Sequence, residues 1–297
     1  MGGFPNGHFY SPVIDPEELR RRAEEIWPAG LRELPGVDLD LAGQRALLEA
    51  LRPLAADFDY PGGPREEAEP AGFRDGNGLF EGLDARVFFC LLRHLAPRRL
   101  LEVGSGYSSL LAADVNRRFL GHVTEIACIE PHPRDFLVAA EPLEVPAPAR
   151  FQSAPPSGLG AFPRGVRRVT LAPVQQVGLG PFLALQAGDV LFIDSSHVSK
   201  TGSDVNFLYL EVLPRLARGV WIHVHDIFLP QEYPREWVLG EERSWNEQYL
   251  VQALLMYSRG FAVRFGSACA HHHFPELVES VFGSRLGGGS LWLEKRI

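Results

Sequence analysis

Three acidic residues in the sequence lie within or at the end of short apolar runs, and a glycine-rich turn follows the first of them. Glu102 precedes the turn 104–106, and Glu130 and Asp194 close two later runs. Glycine lets the backbone come close to a ligand and adopt a positive φ. Open α/β sheets bind nucleotide-like ligands at the carboxyl ends of their strands. The pattern therefore predicts a site for a ligand with ribose hydroxyls and a positive centre.

A second group of ionisable residues lies at the ends of the later apolar runs. His197 lies three residues beyond Asp194, and His225 and Asp226 follow the next run. If these runs are neighbouring parallel strands, the two aspartates end close together. Two carboxylates with nearby imidazoles suit a divalent ion such as Mg²⁺ or Mn²⁺, and His197 is a candidate base or metal ligand. The alternatives are a structural His197, a turn-capping Asp226 and a His225 packed in the wall.

Short apolar segments predict the strands that must position these residues. They cover 100–103, 125–129, 169–171, 189–194, 220–224, 262–265 and 290–294. Apolar residues at helical spacing predict helices over 15–27, 41–54, 85–92, 109–118, 206–216 and 247–257. Proline and glycine predict loops at 60–72 and 155–160, and the histidines 271–273 are expected in an exposed loop.

Several motifs follow one another in a fixed order: Glu102-x-Gly104-x-Gly106, the acid Glu130, the run Asp189-Val190-Leu191-Phe192-Ile193-Asp194-Ser195-Ser196-His197, and His223-Val224-His225-Asp226-Ile227-Phe228. Together they resemble a class I S-adenosylmethionine-dependent methyltransferase. The branch is that of small-molecule O-methyltransferases and cephalosporin-hydroxylase-like proteins. The resemblance implies an α/β fold with a seven-stranded, mostly parallel, doubly wound, Rossmann-like sheet whose final strand is antiparallel. We expect residues 1–75 to form an N-terminal helical extension or lid, and 76–297 the methyltransferase domain.

The resemblance also implies roles for individual residues. The expected cofactor-binding residues are Glu102, Gly104, Ser105, Gly106, Tyr107, Ser108, Glu130 and Asp194. Glu130 is expected to bind the ribose hydroxyls of S-adenosylmethionine, because a carboxylate accepts two strong hydrogen bonds. The expected catalytic residues are His197, Asp194 and Asp226, and the expected metal ligands are Asp194, Asp226 and His225. Relatives similar to catechol methyltransferase bind Mg²⁺ through acids at these strand ends, but their third ligand has no counterpart where Ile227 follows Asp226.

Two further segments are candidates for the substrate pocket. The insertion 228–245 contains Tyr233, Trp237 and Trp245, which either stack on a flat substrate or form a packed loop. His8 and Tyr10 are part of a lid or of a segment on the sheet edge. Either Gln175 or Gln176 is expected near the adenine, and the sequence does not choose between them.

Composition limits the partners and the cellular compartment. The formal net charge of −8 argues against a nucleic-acid-binding protein. No apolar run approaches the ~20 residues of a membrane helix, and the N-terminus has no signal-peptide pattern. Of the three cysteines, Cys90 and Cys128 lie in apolar runs and are expected as buried free thiols, as in the reducing cytoplasm. A homodimer is one compatible arrangement.

The sequence thus predicts methyl transfer from S-adenosylmethionine to an oxygen of a small-molecule acceptor, with divalent-metal assistance as an option. One alternative is a non-catalytic S-adenosylmethionine-binding protein. A nicotinamide-dependent oxidoreductase is the less favoured alternative, because its Gly-x-Gly-x-x-Gly fingerprint would need glycine where Ser109 stands.

Overall fold

A seven-stranded sheet organises the computed structural model, which describes residues 3–63, 72–133 and 165–297. The strands are β1 (Arg99–Val103), β2 (Glu125–Ile129), β3 (Val166–Thr170), β4 (Val190–Ile193), β5 (Trp221–Val224), β6 (Phe261–Gly266) and β7 (Leu291–Lys295). Their order is β3-β2-β1-β4-β5-β7-β6. The first five strands are parallel, and β7 pairs antiparallel with both β5 and β6. The predicted fold class is confirmed, including the antiparallel final strand.

Helices cover both faces of the sheet. They are α1 (Pro16–Arg21), α2 (Ala23–Ile26), α3 (Leu41–Ala55), α4 (Gly82–Leu95), α5 (Tyr107–Phe119), α6 (Val174–Val177), α7 (Gly180–Leu183), α8 (Asp204–Phe207), α9 (Arg235–Leu239), α10 (Glu247–Leu255), α11 (Ser267–His273) and α12 (Pro275–Phe282). Local sequence explains where several begin. Asp15 accepts a hydrogen bond from the Glu17 backbone N–H and precedes Pro16, an arrangement that favours a helix start.

Alternation along β1 separates two apolar cores. Leu100 packs with α4 and α5 on one face, whereas Leu101 and Val103 pack on the other face. Helix α3 contributes Leu48 and Leu51 to the first core, so residues 41–55 pack on the same sheet as the rest of the chain. The division at residue 75 stays a prediction.

Three local predictions differ from the structure. The helix expected over 15–27 is interrupted at Arg22. The segment 206–216 leaves α8 for a π-helical turn and then a 3₁₀ turn that contains Pro214, whose ring nitrogen cannot donate a hydrogen bond. His271–His273 form the last turn of α11 and not a loop. The expected loop 155–160 and residues 64–71 of the loop 60–72 lie outside the described residues.

The strand register places the predicted functional residues at one edge. Val103 pairs with Ile129 and Ile193, and Ile193 pairs with Val224. The residues that follow these strands therefore leave the sheet side by side. Cys90 and Cys128 are buried and unbridged, as predicted, and so is Cys269. Within the described ranges, no helix has the length and apolar character that a bilayer crossing requires.

Candidate functional site

A cavity of about 520 Å³ lies at the carboxyl edge of the parallel strands. This volume is within the usual range for small-molecule sites. Its lining includes, in chain order, Gly78, Leu79, Phe80, Gly104, Ser105, Gly106, Tyr107, Ser108, Glu130, His132, Asp194, Ser195, Ser196, His197, His225, Asp226, Trp237, Arg243 and Trp245. Most of the predicted site residues thus surround one space.

The glycine turn forms the floor of this cavity. Gly104 has φ of +84°, and a Cβ atom there would lie 2.3 Å from the carbonyl oxygen of Asp194. Only glycine fits that position. Gly106 is different, because its φ of −173° is extended backbone and a Cβ atom would meet open space. Its lack of a side chain leaves room in the cavity and does not relieve strain.

Glu130 closes one end of the cavity directly beside the glycine turn. Its carboxylate accepts hydrogen bonds from the backbone N–H groups of Ser105 at 3.0 Å and His132 at 2.6 Å. The hydroxyl oxygen of Ser105 is buried and has no hydrogen-bond partner among the described residues. This end therefore presents a fixed carboxylate and an unpaired hydroxyl, which suits a ligand with its own hydroxyl and amine groups.

Glu102 lies beneath the turn and is not part of the cavity wall. It shares the α5 side of the sheet with Leu100, and its carboxylate accepts hydrogen bonds from the hydroxyl groups of Ser108 and Ser109. Burial raises the pKa of Glu102 to about 7. The residue therefore holds the start of α5 against β1, and its predicted direct contact with a cofactor stays a prediction.

Asp194, His197 and Asp226 meet at the other end of the cavity. The Nε2 atom of His197 lies 3.3 Å from Asp194 Oδ1 and 3.5 Å from Asp226 Oδ2. One ligand atom from each of the three residues lies within 4.8 Å of the others. Two carboxylates this close repel each other unless a cation or a proton lies between them. The cluster is therefore built for a positive charge.

A buried carboxylate orients the histidine of this cluster. Nδ1 of His197 lies 2.8 Å from Oε2 of Glu247, which is fully buried at the first position of α10. Burial alone would lower the pKa of His197, but hydrogen bonds to Asp194 and Glu247 outweigh it and raise this pKa to about 10. Without a metal the ring is protonated at neutral pH and has no lone pair for a substrate proton. Of its two predicted roles, metal ligand fits this geometry better than general base.

His225 lies beside the cluster, and its predicted role as a metal ligand stays a prediction. Its Nε2 atom lies 3.3 Å from the carbonyl oxygen of Leu79 and 3.6 Å from Asp226 Oδ1. The three residues whose ligand atoms converge are Asp194, His197 and Asp226. Both His225 and Asp226 lie just beyond the end of β5, and Asp226 has a left-handed backbone with φ of 57°.

The insertion between β5 and α10 supplies the outer wall of the cavity. Trp237 and Trp245 line it, and Trp245 packs on the His197 ring with centroids 4.2 Å apart. Tyr233 does not line it, because this side chain is buried and its hydroxyl accepts the Gln248 N–H at 2.9 Å. Of the two expected uses of these aromatics, the packed loop therefore describes Tyr233.

Other pocket candidates lie away from the cavity. His8 and Tyr10 are not among its lining residues, and Tyr10 is exposed. Gln175 donates a hydrogen bond to the carbonyl oxygen of Gly202 at 3.3 Å, and neither glutamine at 175–176 lines the cavity. The lid and the adenine contact stay predictions.

Two residues of the site escape sequence reasoning. Glu247 lies fifty positions after His197, so only the fold brings them together. Arg243 stands between Trp237 and Trp245 in the insertion, and its place between two tryptophans is the signal that could have singled it out.

A comparison with protein families supports the resemblance seen in the sequence motifs. Residues 101–227, which run from the first strand to the end of the Asp194–Asp226 cluster, match the family model described as a methyltransferase domain. Over this segment, which is less than half of the chain, the sequence resembles a methyltransferase domain. The predicted resemblance is thereby confirmed over this segment.

The chain is also similar to another protein sequence and to solved structures. An uncharacterised protein from Archaeoglobus fulgidus is 43% identical over 135 residues, which are 45% of this chain and 61% of that protein. The S-adenosylhomocysteine-bound methyltransferase PaMTH1 from Podospora anserina is 15% identical over the full length of both chains, with a TM-score of 0.39. The O-methyltransferase TomG from Streptomyces achromogenes is 14% identical over 88% of this chain and 92% of TomG, with a TM-score of 0.38.

Proposed function

We propose that this protein is a methyltransferase that uses S-adenosylmethionine to methylate an oxygen of a small-molecule acceptor, with a divalent metal in the Asp194–His197–Asp226 cluster. The observation that supports it is one cavity with two chemically different ends. A glycine turn and Glu130 form one end, and the three-residue cluster forms the other. A small-molecule acceptor fits the cavity volume of about 520 Å³. A homodimer stays a prediction.

The first end fits the methyl donor. Glu130 has lone pairs left for ribose hydroxyls after accepting two backbone N–H groups, and the buried hydroxyl of Ser105 lacks a partner. Gly106 leaves its side-chain position open beside them. When bound, S-adenosylmethionine supplies an electrophilic methyl group. The chain's own contribution is to fix this end relative to the acceptor, and such positioning contributes several kcal/mol to a displacement.

The second end fits a divalent metal. Metal-binding histidines usually donate their second ring N–H to a carboxylate, and Glu247 stands in that place behind His197. Asp194, His197 and Asp226 would hold the ion, which would lower the pKa of an acceptor hydroxyl. The mixed oxygen and nitrogen donors suit Mn²⁺ as well as Mg²⁺.

Asp226 is the more buried of the two aspartates in the cluster, with a side chain 14% exposed against 43% for Asp194. Burial raises the pKa of Asp226 above its usual value, and the nearby His225 and His197 partly offset this. Trp237 and Trp245 border the same space and keep bulk water from the reacting groups.

Calorimetry with S-adenosylhomocysteine, followed by transfer of labelled methyl from S-adenosylmethionine to a panel of small hydroxy compounds, tests this proposal. We expect binding, and label transfer that rises with added Mn²⁺ or Mg²⁺ and falls in Asp226→Asn. Binding without transfer to any compound would favour a non-catalytic binding protein. Binding of a nicotinamide dinucleotide in place of S-adenosylhomocysteine would overturn the proposal.

A further inference from the structure

The outer wall of the cavity contains a cation held between two indole rings. The guanidinium carbon of Arg243 lies 4.1 Å from the ring centroid of Trp237 and 4.4 Å from that of Trp245. The Arg243 backbone N–H also donates to the carbonyl oxygen of Trp237 at 2.9 Å. We call these three residues the Trp–Arg wall. Cation–π contacts of this kind fix the position of the charge.

The Trp–Arg wall therefore offers charge to the cavity in addition to aromatic surface. Arg243 contacts both indole rings, so they are partly covered. Among the described lining residues Arg243 is the one arginine or lysine. Its Nη1 atom has no hydrogen-bond partner in the described parts of the chain, while Nε donates to Glu241 Oε2 at 2.8 Å.

Glu241 orients the guanidinium without cancelling its charge. The Nη2 atom of Arg243 lies 2.5 Å from Oε2 of Glu241, but the Glu241 side chain is 46% exposed. Solvent screens an ion pair with such an exposed partner, and pairs of this type contribute little stability. The contact with Glu241 engages the Nε and Nη2 atoms of the Arg243 guanidinium. The Nη1 atom stays available to another hydrogen-bond acceptor.

We infer that the acceptor of the proposed reaction carries a carboxylate, which binds the Nη1 side of Arg243 while its hydroxyl faces the Asp194–His197–Asp226 cluster. This inference rests on the proposed function. Guanidinium and carboxylate match in shape and charge. Arg243 and His197 both contact the ring of Trp245, at 4.4 Å and 4.2 Å from its centroid, so one compact acceptor can reach both residues. A compact hydroxy acid, such as a hydroxyaryl carboxylate, meets these requirements.

The acidic residues in the rest of the cavity disfavour an acceptor group with two negative charges. Glu130, Asp194 and Asp226 all line it, so a doubly charged phosphate would meet stronger repulsion than a carboxylate. An uncharged acceptor would leave the Nη1 side of Arg243 without a partner, and it would therefore bind more weakly.

The methyl donor also has a carboxylate, which could bind Arg243 in place of the carboxylate of the acceptor. The sheet order separates the two sources, because Glu130 and the glycine turn follow β2 and β1 whereas the Trp–Arg wall follows β5, beyond β4. The acceptor is therefore the better match to Arg243.

Matched pairs of ligands test the inference. A panel of hydroxybenzoates and hydroxycinnamates, each paired with its uncharged amide, is titrated into the protein with and without S-adenosylhomocysteine. We expect at least one acid to bind tenfold or more tightly than its amide, the gain typical of a hydrogen bond to a charged group. Arg243→Gln should remove that difference and leave S-adenosylhomocysteine affinity unchanged. Arg235→Gln, an equal charge change at an exposed position of α9, is the control.

Two results would overturn the inference. One is equal binding of every acid and its amide by the natural protein. The other is an Arg243→Gln variant that loses affinity for S-adenosylhomocysteine while it keeps its preference for acids, which would assign the arginine to the donor. The titrations without S-adenosylhomocysteine separate these outcomes from a failure of the proposed function, because acid binding is then measured whether or not the cofactor binds.

Discussion

His197 and Asp226 share a left-handed backbone conformation just beyond two adjacent strands, with φ of 59° and 57°. Residues other than glycine rarely adopt it, and such strain costs about 1–3 kcal/mol at each position. The two side chains meet as a result, with Nε2 of His197 3.5 Å from Oδ2 of Asp226. Strain at two meeting residues is typical of a site whose geometry matters more than its stability.

Glu247→Gln should lower the pKa of His197 below its value of about 10 in the metal-free protein. Glutamine keeps a hydrogen-bond acceptor for Nδ1 but removes the charge that stabilises the imidazolium. NMR titration of the imidazole measures the shift, and Glu236→Gln, at an exposed position of α9, is the control. The raised pKa of His197 stabilises the fold below pH 6.5, and that contribution is lost as the pH rises through about 10. An unchanged pKa of His197 in Glu247→Gln would show that the charge of Glu247 does not affect the imidazole.

Mn²⁺ should raise the melting temperature of the natural protein and should not raise that of Asp194→Asn or Asp226→Asn. An ion that binds only the folded state stabilises it by about 2.7 kcal/mol at a concentration of 100 Kd. His225→Asn is the informative control, because His225 lies beside the cluster but outside it. Thermal unfolding with and without chelator measures the effect. A metal response that disappears in His225→Asn and survives in Asp194→Asn would restore the ligand set expected from the sequence.

Glu130→Ala should weaken S-adenosylhomocysteine binding by about 1.5–3 kcal/mol, the range for hydrogen bonds to a charged group. Glu125→Ala removes the same side chain from the opposite end of β2 and should leave affinity unchanged. Calorimetry on both folded variants compares them. Equal affinities of the Glu130→Ala and Glu125→Ala variants for S-adenosylhomocysteine would show that Glu130 does not bind the ribose.

Gly104→Ala and Gly106→Ala should behave differently although the two glycines belong to one motif. The first places a methyl group 2.3 Å from the Asp194 carbonyl oxygen at a positive φ, so we expect a lower melting temperature and no cofactor binding. In Gly106→Ala the added methyl group meets open space, so the stability of the fold should not change. Cofactor binding should weaken, because the methyl group takes up space in the cavity. Thermal unfolding and calorimetry together make the comparison, and equal stability losses would contradict the turn geometry.

Glu102→Gln should flatten the pH dependence of stability between pH 5 and 8. Burial raises the pKa of Glu102 from 4.5 to about 7, so its contribution is favourable below pH 4.5 and is lost as the pH rises through 7. The shift corresponds to at most about 3 kcal/mol. Urea unfolding at several pH values measures it. A slope as steep in Glu102→Gln as in the natural protein would assign the pH dependence to other groups.

Local patterns in the sequence predict the sheet and one end of the site well. Apolar runs that end in glycine or acid identify β1, β2, β4 and β5, and parallel strands necessarily bring Glu130, Asp194 and Asp226 to one edge. The helix expected over 41–54 is found at Leu41–Ala55 for the same reason, since an apolar stripe at helical spacing has one way to bury itself.

Local sequence patterns do not predict which side chains from distant parts of the sequence contact each other. The choice between His197 and His225 as the third member of the cluster depends on backbone angles after two strands. Glu247 reaches His197 only because α10 begins against the turn that follows β4, and no local spacing signals this contact. The burial of Tyr233 likewise follows from packing between the insertion and the N-terminal segment, where the indole N–H of Trp27 donates to the Tyr233 carbonyl oxygen at 2.8 Å.

Hydrogen bonds hold both ends of the insertion that forms the outer wall of the cavity. Phe228 N–H donates to Gln248 Oε1 at 2.6 Å at its start, and Asn246 N–H donates to the His197 carbonyl oxygen at 3.0 Å at its finish. Its two ends therefore stay together whatever lies between them. We expect that replacing residues 229–245 would change the outer wall of the cavity and leave the Asp194–His197–Asp226 cluster in place. Because Trp27 packs on this segment, the replacement would have to include the N-terminal helices as its backing.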